Sequence, residues 1–142
     1  MKDPDERKGI VAVDFDGVIA TYDGWKGFDV LGEPIVETIK GLQKLHEEGY
    51  YIIIYTCRLD TPKLRQWLKD NNVPYDDLNK SRINPPHTST KPVWHCYLGD
   101  RCLMWDKNNS LSMGTEVMLK AVKRIVNEAK HGKNNDNLPP KQ

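Results

Sequence analysis

Two carboxylates interrupt an apolar run near the start of the chain. The run reads VAVDFDGVIA from Val11 to Ala20 and carries Asp14 and Asp16 two positions apart. Segments rich in Val and Ile are typical of strands buried in a parallel sheet, where a carboxylate without a partner is costly. Gly17 follows directly and allows the chain to turn sharply. We therefore predict that both acids lie at the carboxyl edge of a sheet, where open α/β folds bind their ligands.

This pair of acids suits phosphoryl-transfer chemistry. Asp14 can attack phosphorus and form an aspartyl-phosphate, provided that a divalent cation offsets the charges of phosphate and carboxylate. Asp16 can protonate the leaving oxygen and later accept a proton from the attacking water. A plainer interpretation is an acid at a strand end followed by a turn-forming Asp-Gly pair. Turn formation explains Asp16 and Gly17 but does not explain why an acid stands at position 14.

The segment Asp14-Phe15-Asp16-Gly17-Val18 resembles the first motif, DxDG(T/V), of the haloacid dehalogenase superfamily of phosphatases. The resemblance implies that Asp14 is the nucleophile and a ligand of Mg²⁺. It also implies that Asp16 is the general acid and base and that its backbone carbonyl binds the same ion. Family members that lack the second Asp often lose hydrolysis, so its presence here favours a hydrolase.

The elements after the first strand predict an α/β fold with a parallel sheet. Pro34 opens a helix that ends near Glu48 and Gly49, and residues 50–55 form a second apolar strand. A strand, a helix and a strand in this order predict a right-handed crossover. Thr61 is the predicted N-cap of the next helix. With the resemblance, the expected architecture is a three-layer, doubly wound, Rossmann-like sheet without a substantial cap domain.

A polar segment follows the second strand at the same predicted edge. Tyr55-Thr56-Cys57-Arg58 resembles the second motif of the superfamily, in which a Thr or Ser hydroxyl donates to a phosphoryl oxygen. Arg58 either contacts the phosphate or caps a nearby helix. Cys57 is predicted to be a small packing residue rather than a nucleophile, because no histidine lies near it in sequence. The predicted substrate-contacting residues are Gly17, Cys57 and Arg58.

Two later segments resemble the remaining motifs. Lys91, shortly before a predicted strand over 95–98, is the preferred third-motif lysine, and Lys80 is the alternative. Gly99-Asp100-Arg101 resembles the fourth motif, although small members often have an acid where this chain has Gly99. The magnesium ligands that the resemblance implies are Asp14, Asp16 and Asp100.

The chain of 142 residues fits one domain. We expect an N-terminal tail over 1–9, a hydrolase domain over 10–130 with a flap loop at about 21–33, and a disordered tail over 131–142. In the flap, Trp25 and Phe28 either stack on a substrate ring or pin the loop to the sheet. Residues 103–105 are predicted to form a short strand, and a last helix over 114–130 is predicted to bury Met118, Ala121, Val122, Ile125 and Ala129.

The composition of the chain limits the kinds of partner that we expect it to bind. The formal net charge of +1 argues against a broad nucleic-acid-binding surface. No apolar run is long enough to span a membrane, and residues 1–8 lack the apolar core of a signal peptide, so we expect a cytoplasmic protein. The three cysteines form no CxxC pair and are expected to be reduced. His95 is predicted to be a packed core or edge residue rather than a metal ligand.

Together these features predict a magnesium-dependent phosphomonoester hydrolase. Its substrate would be a phosphorylated small molecule, a nucleotide or a nucleic-acid end, and a homo-oligomer could supply the lid that a capless chain lacks. Two alternatives stay open. One is a catalytically degenerate relative that binds a phosphate or a partner, which the altered fourth motif favours. The other is a receiver-like phosphorylation switch, although DxD on a single strand argues against it.

Overall fold

A computed structural model of the chain describes residues 7–102 and 107–131. The chain divides into two compact units. One contains residues 26–99 and the described chain up to Tyr22, and the other contains Asp23–Trp25 and the described residues from Asp100 onward. The strand predicted over 103–105 and most of the predicted disordered tail lie outside the described residues.

The first unit is built on a parallel sheet of four strands. They are β1 (Gly9–Val13), β2 (Tyr50–Ile54), β3 (Asp77–Leu78) and β4 (Cys96–Leu98). Their order across the sheet is β3-β2-β1-β4, and every neighbouring pair is parallel. The predicted parallel sheet is therefore confirmed, and the strand that precedes the two acids lies in its interior.

Two helices of the first unit pack on one face of this sheet. They are α1 (Val36–Glu47) and α2 (Pro62–Asp70). Because side chains alternate along a strand, β1 and β2 contribute to two apolar clusters. One contains Val11, Val13, Ile52 and Ile54 together with Ile39, Leu42, Leu64 and Leu68 of the helices. The other contains Ile10, Ala12, Tyr51 and Ile53, with Ile83, Trp94 and Tyr97 packed against it.

These clusters define the fold only in part. The α/β class with an all-parallel sheet is established, and it is compatible with a Rossmann-like fold. The second face is covered, within the first unit, by residues around β3 and β4 rather than by α1 or α2. The three-layer, doubly wound arrangement therefore stays a prediction.

Local sequence explains where the helices begin. The hydroxyl of Thr61 accepts a hydrogen bond from the backbone N–H of Leu64 at 3.2 Å, so Thr61 is the N-cap as predicted. Helix α1 begins at Val36, two residues after the predicted start, because Pro34 is held in an antiparallel bridge with Ala20. The N–H of Ile35 donates to the carbonyl of Ile19 at 2.8 Å and keeps that residue extended.

The second unit contains helix α3 (Lys107–His131), which is interrupted at Gly114 by a φ of 71° and a ψ of 177°. The predicted helix over 114–130 is thus confirmed as its later part. Its half-buried stripe contains Met118, Ala121, Ile125 and Ala129. The predicted burial of Val122 is wrong, since this side chain lies at the edge of the stripe and is 43% exposed. None of the described helices is both long and apolar enough to cross a membrane.

Candidate active site

The carboxyl ends of the three longer strands meet at one edge of the sheet. The N–H of Tyr55 donates to the carbonyl of Val13 at 2.9 Å, and the N–H of Asp14 donates to the carbonyl of Leu98 at 2.9 Å. The residues that follow these strands therefore leave the sheet side by side. Asp14 and Thr56 are brought to the same edge, as the sequence predicted.

Asp14 is half-buried, and its carboxylate is oriented by the chain itself. Its Oδ1 atom accepts a hydrogen bond from the N–H of Phe15 at 2.8 Å. The ring of Phe15 is fully buried and packs edge-on against Trp67, with 5.0 Å between ring centroids. This packing fixes the backbone on which Asp14 and Asp16 are carried.

A tight turn follows the acids. The N–H groups of Ile19 and Ala20 donate to the carbonyl of Phe15 at 2.9 and 3.1 Å, and the N–H of Gly17 donates to the carbonyl of Ala20 at 2.8 Å. Gly17 has a φ of 84°, a backbone conformation that glycine adopts without strain. The predicted glycine turn is confirmed, and it places Asp16 on the buried side of the turn, with no exposed surface.

Asp16 is paired with Arg58 in the interior. The Nε atom of Arg58 lies 2.9 Å from Oδ2 and 3.1 Å from Oδ1 of Asp16. Arg58 is only 4% exposed, so water screens this ion pair little. Removing one partner of such a pair typically costs about 3–5 kcal/mol, because the other charge stays buried. The sequence predicted a phosphate or a helix end as the partner of Arg58 and did not anticipate this carboxylate.

The same guanidinium contacts the flap. Its Nη2 atom donates to the carbonyl of Val30 at 3.2 Å, and Nη1 lies 3.5 Å from the carbonyl oxygens of Gly27 and Phe28. The base of the flap is closed by the N–H of Thr21, which donates to the carbonyl of Glu33 at 2.8 Å. Arg58 therefore lies between the flap and the buried carboxylate of Asp16 and contacts both.

The flap aromatics lie in different surroundings. Phe28 is 50% exposed, so half of its surface is open to solvent. Trp25 groups with the second unit. The role of either ring in stacking on a substrate stays a prediction.

Asn79 holds the loop that carries Thr56, and sequence reasoning missed it. Its Oδ1 atom accepts from the N–H of Thr56 at 2.7 Å, and its Nδ2 atom donates to the carbonyl of Arg58 at 2.8 Å. The hydroxyl oxygen of Thr56 accepts from the N–H of Arg58 at 3.2 Å. Because this bond uses the hydroxyl oxygen as an acceptor, the O–H of Thr56 is still available to donate a hydrogen bond. An Asn directly after a short strand was the available signal.

Cys57 lies at the tip of this loop and is exposed. Its predicted role as a packing residue is wrong, because its side chain is exposed rather than packed in the core. Contact between Cys57 and a substrate stays a prediction.

Lys91 has a fixed backbone and an aromatic partner. Its Nζ atom lies 5.2 Å from the ring centroid of Trp94, a cation–π contact. The ring of Trp94 in turn contacts that of Tyr55, the residue before Thr56, at 5.7 Å between centroids. The side chain of Asn84 donates to the carbonyl of Lys91 at 2.8 Å. Lys91 is therefore not an unrestrained surface lysine.

Lys80 directly follows Asn79 and is exposed. Its charge acts on Asp60 and contributes to the lowered pKa of that carboxyl, whose main cause is the hydrogen bond from Arg65. Lys80 thus lies near Asp60 in the loop over 56–60, whereas Lys91 is linked through Trp94 to Tyr55, the residue before that loop. The choice between them stays a prediction.

The oxygen donors at the end of β1 suit a hard cation. Mg²⁺ is usually bound by one or two carboxylates and several waters, a role open to the carboxylate of Asp14 and the backbone carbonyl of Asp16. The carboxylate of Asp16 is engaged by Arg58. Within residues 7–102 and 107–131, no three His, Cys, Asp or Glu side chains form a group that could hold a metal ion. Asp100, one residue after Gly99, belongs to the second unit, and its role as a ligand stays a prediction.

His95 acts as an edge residue. Its Nδ1 atom accepts from the N–H of Ile10 at 3.0 Å, and its own N–H donates to the carbonyl of Ile10 at 2.9 Å. The imidazole thereby extends the pairing between β1 and β4 by one hydrogen bond. This confirms the structural role predicted for this histidine.

Comparison with solved structures supports the fold. A conserved protein from Bacteroides thetaiotaomicron superposes with a TM-score of 0.55 at 21% identity, covering 74% of this chain and 90% of that one. A protein from Vibrio cholerae matches at 21% identity over 81% of this chain and 97% of its own, with a TM-score of 0.45. No protein-family model matches the chain, and no curated protein matches it.

Proposed function

We propose that this protein is a phosphomonoester hydrolase that works through a phosphorylated aspartate and requires Mg²⁺. The observation that carries the proposal is the placement of Asp14 and Asp16 at the carboxyl end of an interior strand, beside Thr56 on the neighbouring strand end. Ligands of open α/β sheets bind at this edge. The proposed reaction follows from the resemblance of the DFDG segment to the first motif of the haloacid dehalogenase superfamily of phosphatases.

In the proposed reaction, a carboxylate oxygen of Asp14 forms a bond to phosphorus as the bond to the leaving oxygen breaks. Asp16 donates its proton to that oxygen and then takes a proton from the water that releases phosphate from Asp14. Thr56 and Lys91 donate to the phosphoryl oxygens. A Mg²⁺ held by Asp14 and the carbonyl of Asp16 would offset the negative charge of the phosphoryl group.

A second candidate function is phosphate or partner binding without turnover. The altered fourth motif favours it, because Gly99 stands where small members of the superfamily often carry an acid. Both candidates share the same site and differ only in whether the bond to phosphorus is broken.

Turnover of phosphomonoesters separates the two functions. Purified protein with Mg²⁺ is tested on p-nitrophenyl phosphate, on a panel of phosphorylated metabolites and on oligonucleotide ends. Hydrolysis that disappears in Asp14→Asn but persists in Asp70→Asn, an exposed carboxylate of α2, supports the hydrolase. Saturable phosphate binding without turnover of any substrate would contradict it and support the binding protein.

A further inference from the structure

Arg58 joins two parts of the candidate site through one planar group. Its Nε atom faces the carboxylate of Asp16, while its terminal nitrogens face the carbonyls of Gly27, Phe28 and Val30. A guanidinium presents its five N–H donors in a rigid fork. A shift of the flap carbonyls therefore changes the orientation of the N–H that holds the acid.

The remainder of Arg58 is held in place. Its N–H donates to the hydroxyl of Thr56, and its carbonyl accepts from the side chain of Asn79. Its guanidinium carbon lies 5.7 Å from the ring centroid of Phe15. With its backbone held and one face on an aromatic ring, the guanidinium reaches both the carboxylate of Asp16 and the flap carbonyls from one fixed base.

We infer that Arg58 is a positioning residue through which closure of the flap orients Asp16 for proton transfer. The inference rests on the proposed function, in which Asp16 gives its proton to the leaving oxygen as the bond between that oxygen and phosphorus breaks. With flap residues 27–30 in place, the guanidinium contacts both the flap carbonyls and the carboxylate of Asp16, and that carboxylate is held. When the flap moves away, Arg58 loses three acceptors and the carboxylate loses its orientation.

This role predicts a dependence on the leaving group. A nitrophenolate leaves without needing a proton, whereas an alkoxide needs one, so a misplaced acid slows only the second kind of substrate. We expect Arg58→Lys to reduce kcat/KM for an alkyl phosphate by about 10²-fold more than for p-nitrophenyl phosphate. In the background of Asp16→Asn, the same substitution should add no further difference between the two substrates.

The matched control is Arg65→Lys. Arg65 forms a comparable pair with Asp60, with Nη2 and Oδ2 2.7 Å apart, but on the surface. This variant should change kcat/KM for both substrates equally and little. Equal slowing of both substrates by Arg58→Lys, with weaker inhibition by inorganic phosphate, would instead assign Arg58 to phosphate binding and overturn the inference.

Amide hydrogen exchange tests the link without turnover. If Asp16 and the flap are joined through Arg58, Asp16→Asn and Arg58→Lys should both speed exchange in residues 26–33 several-fold, while Asp14→Asn and Arg65→Lys should not. Unchanged exchange in the first two variants, with thermal unfolding showing that they fold, would refute the link. Absence of turnover in the wild-type protein would refute the proposed function and leave this readout to decide the link.

Discussion

The carboxamide oxygen of Asn79 lies 2.7 Å from the backbone nitrogen of Thr56, across the adjacent ends of β3 and β2. The other end of the same carboxamide binds the carbonyl of Arg58, so one side chain holds both ends of the loop that carries the proposed hydroxyl donor. Asn79 has a φ of 59°, a conformation that Asn tolerates better than most residues. Both the amide group and the backbone conformation favour Asn here.

Asn79→Gly and Asn79→Ala should separate these two contributions. Both remove the carboxamide and should lower the free energy of unfolding by about 1–3 kcal/mol, since Thr56 and Arg58 each lose a partner. Asn79→Ala should cost roughly 1 kcal/mol more, because alanine is strained at positive φ. Urea denaturation measures the stabilities, and kcat/KM should fall in both variants. Greater stability of the alanine variant would contradict this account.

Lys91→Ala should reduce kcat/KM by about 10²-fold or more, because a donor to the transition-state phosphoryl oxygens is lost. Lys80→Ala is the matched control and should change it little. Steady-state kinetics on one substrate at saturating Mg²⁺ measures both. A large loss in Lys80→Ala with a small one in Lys91→Ala would reverse the assignment of the third-motif lysine.

Removal of divalent cations should abolish hydrolysis. Chelation with EDTA followed by dialysis leaves the phosphoryl charge and the Asp14 carboxylate without a neutralising ion, so attack on phosphorus is opposed. Added Mg²⁺ should restore activity, whereas Ca²⁺, with its longer and less regular coordination, should restore it poorly. Unaltered turnover in dialysed, EDTA-treated protein would contradict the proposed role of the cation.

Tyr51 should make stability fall at high pH. Its hydroxyl donates to Asp77 at 2.7 Å, and burial together with this bond raises the pKa of Tyr51 from 10.0 to about 12. A group whose folded pKa lies above its unfolded value stabilises fully below the unfolded pKa, and this stability is lost as pH rises through the folded pKa. The stability that Tyr51 contributes is therefore lost between about pH 10 and pH 12.

The comparison with Tyr51→Phe isolates this effect. At pH 7 the variant should unfold about 1–3 kcal/mol more easily, because Asp77 loses one hydrogen-bond donor. Above pH 10 the difference in free energy of unfolding between the wild-type protein and Tyr51→Phe should become smaller. Tyr50→Phe, in the same strand, is the control for the loss of a tyrosine hydroxyl that has no bond to Asp77. If this difference in free energy of unfolding instead grew as the pH rose, the raised pKa of Tyr51 would be contradicted.

The local elements of the first unit were predictable because short-range chemistry decides them. Thr61 and Pro62 mark the start of α2 in the sequence, and the apolar runs before Asp14 and Thr56 mark the two longest strands. Strand β3 was hard to predict because it has only two residues. The start of α1 was misplaced because the bridge between Pro34 and Ala20 is a contact made by a distant segment.

The sequence by itself determined that Asp14 and Thr56 would share one edge of a parallel sheet, since each directly follows a strand and parallel strands end on the same side. The pairing of Asp16 with Arg58, the loop held by Asn79 and the exposure of Cys57 were decided by the tertiary structure alone. The physical reason is that these properties join residues from different strands and loops. Their partners are set by how the chain packs, which no local pattern encodes.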